Sequence, residues 1–158
     1  MKLAILIDLD GTVCDSEHMH LHPEEIARNE WNWFEQLIRH GKVFPFAKII
    51  VQSLSQYYFP IFVTARESSR REPTECWIED NLELEEYQVY MRPIGTSVPT
   101  AEYKAYVYET FIKDNYEIVV ALDDNPTCIA LWNSLNIPTL QVCAGEQLNV
   151  FNTKKTGE

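Results

Sequence analysis

Residues 3–12 read LAILIDLDGT, Leu3 to Thr12: a continuous apolar run that stops at two aspartates one residue apart, then a glycine and a threonine. An unbroken Ile/Leu run of this length suits a strand buried on both faces, the kind found in parallel sheets covered by helices. Ligands of such sheets bind at the carboxyl ends of the strands. Asp8 and Asp10 are therefore the first place to look for function.

Working outward, the same alternation of short apolar strand and helical stretch recurs. PFAKIIVQSLSQYY, residues 45–58, places Ile49, Ile50, Leu54 and a tyrosine on one helical face. PIFVTAR follows as a strand expected to end at Thr64. Residues 68–81 read as a helix with Pro73 near its first turn and Thr74 or Ser69 as competing caps. YQVYM, 87–91, is a third strand, and Thr100 is expected to cap a helix reaching about Lys113. EIVVAL, 117–122, leads into Asp123 and Asp124. Pro126 then opens a helix, and IPTLQV supplies a fifth strand. Strand–helix–strand units in this order predict an α/β fold: an open, parallel, five-stranded Rossmann-like sheet with helices on both faces.

The stretch after Thr12, with His18, His20, His22 and Pro23, breaks the pattern before WNWFEQLIRHG resumes it and stops at Gly41. It reads as a flap insertion at about 13–30. The pattern predicts a single domain over 1–145 without a large cap domain, then a polar tail over 146–158.

Charge bounds the function. The chain carries 13 basic and 24 acidic residues, a net of −11, which gives no long-range attraction for phosphate backbones and makes any nucleic-acid contact local. Cys14, Cys76, Cys128 and Cys143 lie far apart without a CxxC pair and read as reduced thiols. The N-terminus lacks the length and cleavage site of a signal peptide, and no run approaches a membrane span, so a cytoplasmic location is expected.

Three strand ends carry polar groups: Asp8 and Asp10, Thr64 and Arg66, Asp123 and Asp124. Carboxylates that share a small volume repel one another, and a cation keeps them ionised. Oxygen-only ligands favour Mg²⁺, and a carboxylate beside it can attack phosphorus.

The motifs D-L-D-G-T, T-A-R, a lysine and D-D, in that order, resemble those of the haloacid dehalogenase superfamily of phosphotransferases. Within it, FVTARESSRREPTECWIEDN, YMRPIGTSVPTAEYKAYVYE and ALDDNPTCIALWNSLNIPTLQV look like the phosphatase domain of polynucleotide kinase 3′-phosphatases and their stand-alone relatives. The resemblance implies Asp8 as nucleophile and Asp10 as general acid and then base. It implies that Gly11 turns sharply beside the phosphate and that Thr12 begins the flap. Thr64 would hydrogen-bond a phosphoryl oxygen, and Arg66 would stand on the substrate side. Lys104, in EYKAYVYE, would neutralise Asp8 and the transferring group, with Lys113 the lesser choice. Mg²⁺ would be held by Asp8, the backbone carbonyl of Asp10, Asp123 and Asp124.

A calcium loop would need a glycine at its sixth position and a glutamate at its twelfth, where this chain has Val13 and Met19. Asp123 and Asp124 alone would also serve as a helix cap. A response-regulator receiver shares an acidic pair, Thr and Lys, but in the reverse order. Arg66 and Arg92 are the better candidates for a local phosphate-binding patch, and Arg70 and Arg71 equally suit a solvated helix face. The three histidines fit a flap over the site better than zinc. Trp31 and Phe34 fit a core as well as a base-stacking platform, and Trp77 and Trp132 fit helix-on-sheet packing. The expected activity is Mg²⁺-dependent hydrolysis of a phosphomonoester through an aspartyl-phosphate, on a polynucleotide 3′-phosphate or a nucleotide. The alternatives are a small-molecule phosphatase of the same superfamily or a non-catalytic phosphate-binding scaffold. No GxxxxGK[ST] motif occurs, so a kinase or ligase would be a separate partner.

Overall fold

The computed structural model describes residues 1–15 and 38–143. Five parallel strands form the central sheet: β1 (Lys2–Ile7), β4 (Phe59–Glu67), β5 (Gln88–Arg92), β6 (Tyr116–Asp123) and β7 (Thr139–Gln141). Their spatial order is β5-β4-β1-β6-β7. From β1 the chain winds outward through β4 to β5, then returns across the sheet to β6 and β7. The first strand thus stands at the point where the winding reverses, and a crevice opens there at the carboxyl ends.

Among the described residues four helices cover the sheet: α1 (Pro45–Ser55), α2 (Arg71–Leu82), α3 (Thr100–Val107) and α4 (Pro126–Ser134). Alternate residues of β1 feed two different cores, as the two-residue period of a strand requires. Ile5 and Ile7 join Ala47 and Val51 of α1 and Trp77, Ile78 and Leu82 of α2. Ala4 and Leu6 join Tyr103 and Val107 of α3 and Trp132 of α4. The same alternation in β6 sends Leu122 to the first core and Ala121 to the second. Continued by one residue, past Ile7 in β1 and past Leu122 in β6, it turns Asp8 and Asp123 toward the α3/α4 face. That placement decides the site.

Several local expectations are corrected. β4 does not stop at Thr64 but continues to Glu67 after a register break between the two, because Glu67 pairs with Arg92 of β5. The 68–81 stretch is a 3₁₀ turn over Ser68–Arg70 followed by α2, and neither Ser69 nor Thr74 caps it. Thr74 is buried inside the helix, where its hydroxyl accepts from Arg66. Thr100 is the first residue of α3 rather than its cap, and its hydroxyl accepts from Arg92. Helical structure beyond α3 continues as a π turn over Tyr108–Ile112. The α4 cap is Asn125, whose side chain accepts from the Thr127 and Cys128 amides, so capping does not account for the aspartate pair.

Two two-residue strands, β2 (Cys14–Asp15) and β3 (Lys42–Val43), pair antiparallel where the chain leaves the sheet after β1 and where it returns. The return is anchored by the Trp77 indole, which donates to the Gly41 carbonyl at 2.7 Å. Most of the expected flap, including His18, His20 and His22, the Trp31, Trp33 and Phe34 of the helical stretch after it, and the expected polar tail lie outside the described residues. Among the described residues no helix is long and apolar enough to cross a membrane, and Cys14, Cys76, Cys128 and Cys143 are free thiols.

Candidate active site

β1 delivers Asp8 at its end, tied to β6 by a hydrogen bond from the Asp8 amide to the Leu122 carbonyl at 2.9 Å. β6 delivers Asp123 and, one residue later, Asp124. From α3, Lys104 reaches down between them. Its ammonium donates to Asp8 Oδ1 at 2.8 Å and to Asp123 Oδ2 at 2.7 Å, with only 1% of the side chain exposed. A buried lysine is tolerated only when paired, and here two carboxylates pair it.

Asp8, Asp123 and Asp124 each offer one oxygen, and these oxygens lie within 4.8 Å of one another. Three carboxylates against one ammonium leave the cluster strongly negative. Two unit charges at that separation repel by about 3.5 kcal/mol even at an effective dielectric of about 20. The arrangement fits a divalent cation: its donors are all oxygen, and its charge exceeds what Lys104 offsets.

The turn after β1 is shaped for this approach. Gly11 has φ +82, a left-handed conformation, and a Cβ there would stand 2.4 Å from Oδ2 of Asp124. Glycine is thus required both by the turn and by the carboxylate that passes over it. Thr12, fully buried, has its hydroxyl 3.1 Å from Asp8 Oδ2 and 3.0 Å from Asp124 Oδ1. One hydroxyl proton serves one acceptor at a time, so Thr12 bridges two carboxylates that it can satisfy only alternately.

Burial raises the pKa of the Asp8 carboxyl to about 7; Lys104 pulls against that rise, while Asp123 and Asp124 add to it. For Lys104, burial favours the neutral amine, but Asp8 and Asp123 outweigh it and hold the ammonium above the usual lysine range.

Asp10 faces a different partner. Arg66 meets it with a fork, Nε to Oδ2 at 2.9 Å and Nη2 to Oδ1 at 2.6 Å, while Nη1 donates to Thr74 at 3.2 Å. The family resemblance implies a substrate-side position for Arg66. The structure buries it, with 4% of its side chain exposed, and aims the guanidinium at Asp10. With the Asp10 carboxylate turned to Arg66, its backbone carbonyl is the group left for a cation. Thr64, also buried, accepts from the Arg66 amide at 3.2 Å and keeps its own hydroxyl proton to donate. Arg92 sits two strands from β1 and is joined to the Val98 carbonyl, to Thr100 and to the face of the Tyr103 ring.

Three groups here have no precedent in the motif reading: Trp132, whose indole donates to Asp123 Oδ2 at 3.2 Å; Asn125, whose amide donates to Asp123 Oδ1 at 3.1 Å; and Thr74 behind Arg66. Trp132 and Thr74 meet their partners through packing between different elements, which no spacing rule marks, whereas the Asn125 backbone amide reaches Asp123 only two residues away, the local turn that an aspartate two positions before an amide favours.

A family model described as the polynucleotide kinase PNKP phosphatase domain matches residues 2–147. A protein of Autographa californica nuclear polyhedrosis virus, described as a bifunctional polynucleotide kinase/RNA ligase, is 25% identical over 149 residues, covering 89% of this chain and 19% of that protein. In the solved structure of a Pnkp1/Rnl/Hen1 complex, one chain superposes with a TM-score of 0.76 at 21% identity, over 92% of this chain and 47% of that one. A class C acid phosphatase from Bacillus anthracis shares the fold, with a TM-score of 0.58 at 13% identity over 99% of this chain and 63% of that one. This chain therefore spans about a fifth of the viral relative and about half of the complex's matching chain.

Proposed function

The chain belongs to the family of polynucleotide kinase PNKP phosphatase domains and is a phosphatase, and from that premise we propose that it hydrolyses a terminal phosphomonoester, a polynucleotide 3′-phosphate, through an aspartyl-phosphate on Asp8. The observation that carries this reading is the convergence of Asp8, Asp123 and Lys104 at 2.7–2.8 Å beside Asp124.

In this reading an Asp8 oxygen forms a bond to phosphorus while the bond to the leaving oxygen breaks, its electron pair staying with that oxygen. Asp10, protonated and with one oxygen released from the Arg66 fork, gives the leaving oxygen a proton and then takes one from the attacking water. Attack of that water on phosphorus returns Asp8 as carboxylate and releases inorganic phosphate. Lys104 holds positive charge against Asp8 throughout, and the Thr64 hydroxyl donates to a phosphoryl oxygen. Mg²⁺, held by Asp8, Asp124, the Asp10 carbonyl and the remaining side of Asp123, would offset charge on the transferring phosphoryl group. Arg66 keeps Asp10 oriented for its proton transfers, and Arg92 anchors the loop at the crevice rim.

The 3′-phosphate assignment rests on the family and on relatives described as RNA-repair and kinase/ligase proteins. By the same reasoning a kinase or ligase, fused in the viral relative, acts with this chain as a partner. The net charge of −11 favours the competing substrate class, a free nucleotide. A single-turnover panel separates them: 3′-phosphorylated oligonucleotide, 5′-phosphorylated oligonucleotide and 3′-nucleotide, at two salt concentrations with and without Mg²⁺. Preference for the 3′-phosphorylated oligonucleotide with salt-sensitive rates supports end processing. Preference for the free nucleotide rejects it. Equal rates for wild type and Asp8→Asn reject the nucleophile.

A further inference from the structure

We infer that Trp132 is a positioning residue of this active site, acting on the nucleophile through Asp123 and Lys104; the inference rests on the reading of Asp8 and its cation given above. A buried indole N–H requires an acceptor. A neutral carbonyl would serve, and Trp77, in the other core, uses the Gly41 carbonyl. Trp132 instead donates to the carboxylate of Asp123, at 3.2 Å, with both residues 1% exposed. The same oxygen, Oδ2, receives the Lys104 ammonium at 2.7 Å, and Oδ1 receives the Asn125 amide at 3.1 Å.

Three donors, the local Asn125 amide, the Trp132 indole of α4 and the Lys104 ammonium of α3, therefore fix one carboxylate rotamer. Oδ2 has both lone pairs engaged, and only Oδ1 retains one for a cation. Lys104 is shared between this fixed oxygen and Asp8 Oδ1 at 2.8 Å, so its position over the nucleophile depends on Asp123 holding still. Without the indole donor, Asp123 turns about its terminal torsion, which is soft for a carboxylate, and Lys104 moves with it. The ring itself has a separate job, packing edge-on to Tyr108 at 6.4 Å between centroids and joining the α3/α4 core. Phenylalanine preserves most of that packing and removes only the N–H.

The test uses the full chain and three proteins: wild type, Trp132→Phe and, as a matched loss of a buried indole, Trp77→Phe. Mg²⁺ affinity is read by calorimetry, kcat and KM by phosphomonoester hydrolysis, and the indole N–H resonances by ¹⁵N spectra during Mg²⁺ titration. Trp132→Phe should retain a cooperative melt, bind Mg²⁺ about 10-fold or more weakly, as loss of an outer hydrogen bond to a ligand typically does, and lose kcat with KM within about twofold. Trp77→Phe should lose stability with Mg²⁺ affinity intact. In wild type the Trp132 indole resonance, assigned through its contact with the Tyr108 ring, should shift on Mg²⁺ addition.

Wild-type Mg²⁺ affinity and kcat in Trp132→Phe overturn the inference, as does an equal Mg²⁺ defect in Trp77→Phe. Should Trp132→Phe not fold, an indole resonance unmoved by saturating Mg²⁺ in wild type overturns it instead. A wild type that neither binds Mg²⁺ nor hydrolyses the phosphomonoester removes the underlying reading as well. A wild type that does both while Trp132→Phe matches it removes the inference alone.

Discussion

Arg66 grips Asp10 with two parallel hydrogen bonds, 2.9 and 2.6 Å long, across 56 positions of sequence. The fork geometry of a guanidinium matches both oxygens of a carboxylate, and an ammonium cannot reproduce it. Arg66→Lys is therefore expected to keep the charge but lose Asp10's orientation. In the hydrolysis assay kcat should fall by about 10²-fold, the low end of what a misplaced acid–base group costs, with KM nearly unchanged. Wild-type kcat in Arg66→Lys would show that Asp10 needs no fixed orientation.

Lys104 is the only cation bonded to both Asp8 and Asp123 among the described residues. Lys104→Met retains much of the buried stem volume and leaves two carboxylates facing each other without compensation. Breaking a buried pair this way costs about 3–5 kcal/mol. Urea denaturation of the metal-free variant should show a loss of that size, partly recovered by Mg²⁺, because a dication supplies the missing charge. A loss that Mg²⁺ leaves untouched would place the cation away from this cluster.

Gly11→Ala tests the approach of Asp124. The added methyl would sit 2.4 Å from Asp124 Oδ2 in a backbone with φ +82. The left-handed conformation alone costs a non-glycine residue about 1–2 kcal/mol. The clash adds to it by displacing Asp124, so Mg²⁺-induced thermal stabilisation should largely disappear along with hydrolysis. Retention of the full Mg²⁺ shift in Gly11→Ala would remove Asp124 from the cation site.

How far such a site is legible in sequence depends on the kind of contact. The five strands and the two helical layers follow from apolar runs and periodicities that are local to each segment. Asp8, Asp123 and Lys104 are recognisable because strand ends and motif order mark them, and strand alternation supplies the reason they share a face. Arg66 illustrates the limit. Its place near the end of a strand is visible, but its partner across the turn is not, and a cation near a phosphate site reads by default as facing substrate. Trp132 is further beyond reach, since an aromatic residue on a helix is explained by packing alone until its N–H is seen to meet a carboxylate. Thr100 and Thr74 mislead for a related reason: both suit caps by residue type, yet tertiary partners, Arg92 and Arg66, claim their hydroxyls.

The pH dependence follows from Asp8. Burial raises its carboxyl from the ordinary aspartate value of 3.8 to about 7 in the metal-free chain. Between those two values the folded state binds more protons at this position than the unfolded state does. The contribution of Asp8 to stability therefore falls as pH rises through that window and levels off above it. A cation binds only the ionised form, so proton and metal compete. Mg²⁺ affinity should weaken as pH drops below about 7, approaching tenfold per pH unit well below it, and should be nearly flat above. Lys104, held above its usual range, stays charged throughout and adds no slope there. Thermal stability measured from pH 5 to 8.5 with and without Mg²⁺ should thus show two curves that separate as pH increases. Parallel curves across that range would mean that Asp8 does not exchange a proton for the cation.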